Sequence, residues 1–123
     1  MAWSTKVMTV AKTDPRKTFF AISFRESADA TGCETILAAH ATKPYFIEHL
    51  VIGIDFDGYI DFGDGEATSA VETVALMLIG TATGLAYDIT FKRPIKLTAA
   101  KAITLDASGA GILAGMVEGF TAN

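Results

Sequence analysis

The chain has 123 residues, of which 50% are hydrophobic and 20% are charged, and its formal net charge is −4 at pH 7. This composition excludes a disordered chain, which combines low hydrophobicity with high charge, and a nucleic-acid binder held by bulk positive charge. The single cysteine, Cys33, excludes a disulfide framework and a zinc site built from several cysteines.

Alternation of apolar and polar residues predicts β-strands along most of the chain. Turn-forming groups such as Asp57-Gly58 and Gly63-Asp-Gly65 separate these segments, and Pro94 is expected to end one of them. The predicted strands are Lys6–Lys12, Thr18–Arg25, Glu34–Ala41, Tyr45–Ile54, Gly58–Phe62, Ala86–Phe91, Ile95–Thr98, Ala102–Asp106 and Gly111–Phe120. Many short strands separated by turns are typical of a sandwich or a barrel.

The strand Tyr45–Ile54 is apolar on both faces, which predicts burial on both sides. Under strict alternation, every second side chain lies on the same face of the strand, and Glu48 interrupts the first of the two apolar faces. The first face would hold Phe46, Leu50, Ile52 and Ile54, and the second would hold Tyr45, Ile47, His49 and Val51.

The segment Glu66–Leu78 fits two structures. Its apolar residues recur at helical spacing, and Ser69 with Glu72 matches a capping box. Its neighbours on both sides are strands, however. We therefore predict a loop or a single helical turn to about residue 71 and then a strand over Thr73–Ile79.

Charge is segregated along the sequence. Residues 1–25 carry five Lys and Arg against Asp14, whereas residues 26–90 carry eleven Asp and Glu against Lys43. We expect residues 1–17 to form a basic N-terminal arm or a first strand, and residues 18–123 to form the β-sandwich domain. No apolar stretch approaches the length of a membrane span, so no membrane partner is expected.

The sequence contains few residues that are suited to catalysis. The histidines are His40 and His49, and His49 alternates with apolar residues as a core or interface histidine does. Cys33 lacks a context that would activate its thiol. Acidic residues between Asp55 and Glu66 leave two interpretations open, an irregular calcium site or a hairpin whose side chains face water. We expect no enzyme activity and no cofactor.

The segment Ile89–Phe120 carries a recognisable order of strand and turn types. An aromatic residue and a proline lead into one strand, a second strand and a small-residue turn follow, and a glycine-containing strand ends the pattern. The residues that match are Phe91, Pro94, Ile95, Leu97, Lys101, Ala102, Ile103, Leu105, Ser108, Ala110, Gly115, Val117, Gly119 and Phe120. This order resembles the C-terminal pattern of small jelly-roll virion proteins of tailed bacteriophages, the head-decoration or cement proteins.

The resemblance implies an all-β, jelly-roll-type β-sandwich with at most one short helical turn. It also implies a homotrimer similar to tumour-necrosis-factor-type assemblies, made in the host cytoplasm and located on the capsid surface of the virion. Such a protein binds the major capsid protein and stabilises the shell without chemistry. Two alternatives remain open: a receptor- or carbohydrate-binding jelly roll of a phage tail or fibre, and a small-molecule barrel or enzyme subunit.

Two sets of residues are predicted to make contacts between chains. The basic arm combines positive charge with apolar residues, and we expect it to contact the capsid or a neighbouring protomer. Its candidate residues are Trp3, Lys6, Lys12, Arg16 and Lys17. The strand that is apolar on both faces is expected to supply the core or interface of the trimer. Its candidate residues are Tyr45, Ile47, His49, Leu50 and Ile52.

Overall fold

A computed structural model of the chain describes residues 4–8, 16–28, 33–66 and 71–122. Within these residues the backbone forms β-strands joined by turns and loops, and it forms no helix. The strands are β1 (Ser4–Met8), β2 (Lys17–Ala28), β3 (Glu34–Leu37), β4 (Tyr45–Ile54), β5 (Gly58–Gly65), β6 (Thr73–Gly80), β7 (Leu85–Lys96), β8 (Ala102–Ala107) and β9 (Gly111–Ala122).

Two antiparallel sheets contain these strands. The five-stranded sheet has the order β1-β2-β9-β4-β7, and the four-stranded sheet has the order β3-β8-β5-β6. From β2 onward the chain passes from one sheet to the other at every connection except that between β5 and β6. This is the strand order of a jelly roll, in which two sheets of four strands enclose one core, with β1 added at an edge. The predicted fold class is therefore confirmed.

The core lies between the two sheets. The predicted inward face of β2 is confirmed, because Ile22 and Phe24 are buried and Phe20 packs against the core. Phe62 of β5 and Leu105 of β8 close the core from the four-stranded sheet. Each sheet thus contributes one apolar face to a single core, as the alternation of apolar residues predicts.

A bulge in β4 changes which of its residues face the core. Ile47 and His49 pair with adjacent residues of β9, so Glu48 is an extra residue in β4. One extra residue turns the following side chains to the opposite face. The prediction that Phe46 and Leu50 share a face is therefore wrong. The core-facing residues are Tyr45, Ile47, Leu50, Ile52 and Ile54.

The prediction that Pro94 ends a strand is also wrong. Pro94 lies inside β7, which continues through the positions of the two predicted strands. Thr90 and Ile95 pair with β4 on either side of residues 91–94, which form a bulge without partners in the ladder. Because β7 is an edge strand, the missing N–H group of proline leaves no donor position of the sheet empty.

Gly63 and Gly65 do not form the predicted turn, because both lie within β5 and pair with β8. A Cβ atom on Gly63 would lie 1.8 Å from the carbonyl oxygen of Thr73. Glycine is therefore needed at this position for the close approach of another backbone. The predicted strand over Thr73–Ile79 is confirmed as β6, whereas residues 67–70 of the preceding loop lie outside the described residues.

Candidate assembly surfaces

The outer face of the five-stranded sheet carries an aromatic cluster, made of Phe19, Phe46 and Phe120. Phe120 pairs in register with both other residues. The rings of Phe46 and Phe120 are stacked with centroids 4.9 Å apart, and Phe19 meets Phe120 edge-on at 5.8 Å. The ammonium group of Lys17 lies 4.4 Å from the centroid of the Phe120 ring. Phe120 is buried and Phe19 and Phe46 are half-buried, so the three rings form a packed cluster with one cation on it.

His49 lies on the same outer face between two carboxylates. Its Nε2 atom is 2.5 Å from Oδ1 of Asp88 on β7, and its Nδ1 atom is 3.8 Å from Oε1 of Glu118 on β9. The imidazole is only 25% exposed. Within the described residues the ring contacts carboxylates and no hydroxyl or thiol, so this arrangement does not supply a nucleophile with a base.

A groove indents the same outer face beside β7. Gly53, Ala86 and Ala114 form one row across three adjacent strands, because Gly53 pairs with both alanines. These three small residues form the floor of a groove of about 360 Å³, and the exposed side chains of Leu85 and Ile112 also line it. The outer face therefore carries both the aromatic cluster and an apolar groove.

The structure separates the residues predicted for the trimer core or interface. Tyr45, Ile47, Leu50 and Ile52 are buried between the sheets of a single chain. They stabilise the sandwich itself, and of the five candidates only His49 lies on the outer face. The hydroxyl of Tyr45 donates a hydrogen bond to the carbonyl oxygen of Ala38, and burial raises the pKa of this hydroxyl above its ordinary value.

Of the residues predicted for the arm, Lys17 lies on the aromatic cluster. Arg16 is exposed next to it, and the backbone of Lys6 lies in β1, paired with Ser23 of β2. Trp3 and Lys12 lie outside the described residues. Part of the arm is thus a strand at the edge of the five-stranded sheet.

The outer face of the four-stranded sheet has a different chemistry. Asp61 of β5 and Asp106 of β8 are directly opposite each other, and together with Tyr59 and Ser108 they line a polar cleft of about 280 Å³. The Oδ1 atom of Asp61 is buried and has no hydrogen-bond partner. We call this group, Tyr59, Asp61, Asp106 and Ser108, the acidic cleft.

An apolar strip borders the acidic cleft along the edge strand β6. Met77 and Ile79 are 63% and 62% exposed, and Val74 is 48% exposed. The sequence from Thr73 to Tyr87 contains no charged residue. The phenol of Tyr87 accepts a hydrogen bond from the amide of Ile79 and donates one to its carbonyl oxygen, which caps the edge of β6 at this residue. An uncharged edge strand of this kind is a template for contacts with another chain.

The acidic residues between Asp55 and Glu66 do not converge on one point. Carboxylates of Asp55, Asp57 and Asp64 each accept a hydrogen bond from a backbone amide, at 2.6, 2.9 and 2.5 Å respectively. Asp55 and Asp57 lie exposed in the connection between β4 and β5, whereas Asp64 lies within β5 and is buried. Within the described residues no three His, Cys, Asp or Glu side chains are grouped to hold a metal ion.

Lys101 holds both ends of the connection between β5 and β6. Its ammonium group lies 2.6 Å from Glu66 and 3.3 Å from Glu72. The hydrogen bond from Lys101 lowers the pKa of Glu66, and the hydrogen bonds to Glu66 and Glu72 raise the pKa of Lys101. We call these three residues the lysine clip.

The aromatic cluster was missed by reasoning from the sequence. Strict alternation puts Phe46 on one face with Leu50 because the bulge at Glu48 has no local signal, and the pairing of Phe19 with Phe120 joins strands that are far apart in the sequence. Among the residues that the structure describes, no helix has the length and apolarity that a membrane crossing requires.

No protein-family model matches the chain, and no curated protein matches it.

Proposed function

We propose that this chain is a non-enzymatic structural protein of a phage head, a decoration protein that binds the shell as a homotrimer and stabilises it. The observation that carries the proposal is the jelly-roll strand order together with the apolar outer face of the five-stranded sheet. The resemblance of residues 89–120 to head-decoration proteins supplies the biological setting. The protein is then located on the capsid surface and made in the host cytoplasm.

The outer face of the five-stranded sheet is the trimer interface in this proposal. Aromatic residues supply large contact areas at low cost in conformational entropy and are enriched in the centres of interfaces. The aromatic cluster and the groove lie on one face. His49 lies between them, and its imidazole contacts the carboxylate of Asp88. Burying this face removes apolar surface from water, which stabilises the assembly.

Contact with the major capsid protein is assigned to the basic end of the chain. Arg16 directly precedes β2 and Lys17 is its first residue, and β1 runs beside β2 at the edge of the sheet. Charge at this end steers the trimer toward the shell, whereas the contact itself is held by apolar residues such as Trp3. Salt screens the steering because exposed charges interact over about 10 Å at 0.1 M salt.

The trimer is tested by light scattering coupled to size exclusion on the full chain. We expect three times the chain mass of 13.0 kDa, and a monomer at all concentrations would overturn the trimer. Phe46→Asp, on the outer face of the five-stranded sheet, should give a folded monomer. The matched control is Val74→Asp on the other sheet, which should leave the trimer intact.

Shell binding is tested by co-sedimentation with undecorated heads of the phage that encodes the chain. We expect the intact protein to pellet with the heads and to raise their resistance to heat. A folded trimer that does not pellet would refute the decoration role. Deletion of residues 2–12, which removes β1, should reduce occupancy sharply, and full occupancy by this variant would assign the contact elsewhere.

A further inference from the structure

The outer face of the five-stranded sheet contains a cluster of titratable side chains from three adjacent strands. His49 lies on β4 in the middle, Asp88 lies on β7 and Glu118 lies on β9. The Nε2 atom of the ring is 2.5 Å from Oδ1 of Asp88, and its Nδ1 atom is 3.8 Å from Oε1 of Glu118. Each ring nitrogen therefore faces a carboxylate. We call these three residues the histidine cluster.

The charge of the histidine cluster depends on the proton content of the ring. A neutral imidazole has one N–H group, so it donates toward one carboxylate and presents a lone pair to the other. A protonated imidazole has an N–H group on each nitrogen and directs one toward each carboxylate. With two ionised carboxylates, the net charge of the cluster is −2 when the ring is neutral and −1 when it is protonated.

The strands around His49 bring two further charged residues to this region. Glu48 is the adjacent residue of β4, and Lys92 lies in the basic bulge, our name for residues 91–94 of β7. Thr90 of β7 and Ala21 of β2, which pair with His49 and Glu118, do not titrate. Carboxylates and ammonium groups ordinarily keep their charge between about pH 5.5 and 7.5, whereas an imidazole ordinarily changes it.

Assembly through this face would change the surroundings of the histidine cluster. In the single chain water reaches all three side chains, because Asp88 is 74% exposed, Glu118 is 29% exposed and His49 is 25% exposed. A subunit packed on the aromatic cluster and the groove would remove much of this water. Net charge costs more free energy in a dry interface than in water, so the proton on the ring matters more in the trimer than in the free chain.

We propose that protonation of His49 strengthens the homotrimer, so that the trimer is tighter at about pH 5.5 than at about pH 7.5. The inference rests on the proposed function, because it takes the outer face of the five-stranded sheet as the trimer interface. The sign follows from linkage. Assembly lowers the net charge that is buried by taking up protons, and an association that takes up protons is favoured as the pH falls.

The inference is tested by sedimentation velocity of the full chain over a range of concentrations, at about pH 5.5 and 7.5 and equal ionic strength. The concentration at which half of the trimer has dissociated should be at least about tenfold lower at the lower pH. Where the trimer persists at the lowest concentration, the urea concentration that dissociates it is compared instead. That urea concentration should be higher at the lower pH.

His49→Gln and His40→Gln form a matched pair, because these are the two histidines of the chain. His40 lies in the connection between β3 and β4, where its Nδ1 atom accepts hydrogen bonds from the backbone amides of Thr42 and Lys43. We expect His49→Gln to remove the pH dependence of the trimer and His40→Gln to keep it. Circular dichroism verifies that each variant is folded.

Glu118→Gln keeps the ring and removes one carboxylate. With a neutral ring its cluster carries one negative charge fewer than the wild type, so its trimer at about pH 7.5 should be tighter and should change less with pH. The net charge of the chain approaches zero near its pI of about 5.0, which favours association of every variant alike. Differences between variants therefore identify the contribution of the histidine cluster.

The outcomes separate this inference from the trimer itself. A trimer of equal strength at both pH values would overturn the inference and leave the trimer in place, whereas a monomer at both would overturn the two together. A pH dependence that folded His49→Gln retains, or that His40→Gln abolishes, would also overturn it, as would a Glu118→Gln trimer no tighter than the wild type at about pH 7.5. Loss of the dependence in His49→Gln alone supports the role of His49.

Discussion

The five-stranded sheet turns Phe19, Phe46 and Phe120 outward, whereas the four-stranded sheet turns Asp61 and Asp106 outward. Their inner faces are alike, because both consist mainly of buried Ile, Leu and Phe side chains. The core therefore explains why the chain folds as a sandwich and does not distinguish the two sheets. The outer faces distinguish them, and the proposed contacts follow from this difference.

The largest expected effect comes from comparing the two sides of β4. Leu50 is fully buried between the sheets, and Val51, its neighbour, faces outward and is half-buried. Leu50→Asp should cost more than about 4 kcal/mol and abolish folding, because it buries a charge without a partner. Ile52→Asp should do the same. Circular dichroism and size exclusion report the outcome.

Val51→Asp is the control for this comparison. We expect it to keep the far-ultraviolet spectrum of the folded chain while losing the trimer, since its carboxylate lies on the proposed interface. A folded Leu50→Asp protein would contradict the assignment of the core face. An unfolded Val51→Asp protein would show that the outer face stabilises the single chain as well.

The next effect concerns close approach between strands of the five-stranded sheet. A Cβ atom on Gly115 would lie 1.9 Å from the carbonyl oxygen of Val51, whereas one on Gly53 would lie 3.8 Å from its nearest neighbour. Gly115→Ala must displace the backbone of β4 and should cost about 1–3 kcal/mol. Gly53→Ala should be nearly neutral. Urea denaturation of both variants tests the contrast, and equal midpoints would contradict it.

Tyr45→Phe should have a smaller effect with a distinct pH dependence. Removing the hydrogen bond to Ala38 should cost about 1 kcal/mol. The pKa of Tyr45 is raised in the folded state, so the unfolded chain loses this proton first as the pH rises. The wild type should therefore lose stability above about pH 10, where unfolded tyrosine ionises, and the variant should lose less.

Thermal unfolding at neutral and alkaline pH measures this difference. The difference in unfolding temperature between the wild type and Tyr45→Phe should shrink as the pH rises above 10. A constant difference would mean that ionisation of this phenol does not contribute. Tyr59→Phe, at a residue that is 46% exposed, serves as the comparison for loss of an exposed phenol.

The smallest effect is expected at the lysine clip, beside the four-stranded sheet. Lys101→Ala should lower the unfolding temperature slightly, because its partners Glu66 and Glu72 are exposed to solvent and screened by salt. The pKa of Glu66 is lowered and that of Lys101 is raised. The stabilisation by Glu66 is therefore lost as the pH falls through its folded pKa, and that by Lys101 is lost as the pH rises through its own.

Unfolding temperatures of Lys101→Ala and the wild type should thus differ most near neutral pH and converge in acid. Lys92→Ala, which removes an exposed charge from the basic bulge, is the matched control and should not show this convergence. A Lys101→Ala protein as stable as the wild type at neutral pH would mean that the lysine clip contributes nothing measurable.

The sequence alone predicted the class of fold and much of the core. Alternation of apolar residues identified β2, β4, β8 and β9, and it placed Ile22 and Phe24 inside correctly. This works because successive side chains of a strand point to opposite faces, so that one buried face leaves a pattern that a single segment contains. The segregation of charge along the chain was also visible, whereas its distribution between the two sheets follows only from the strand order.

The tertiary structure alone decided which face of β4 is inside. Glu48 is an extra residue only relative to β9, and residues 91–94 bulge only relative to β4. No local pattern contains that information, because a register belongs to a pair of strands. For the same reason His49 meets Asp88, which is 39 positions further along the chain. Alternation thus specified strands, and pairing between distant strands determined the surfaces that they present.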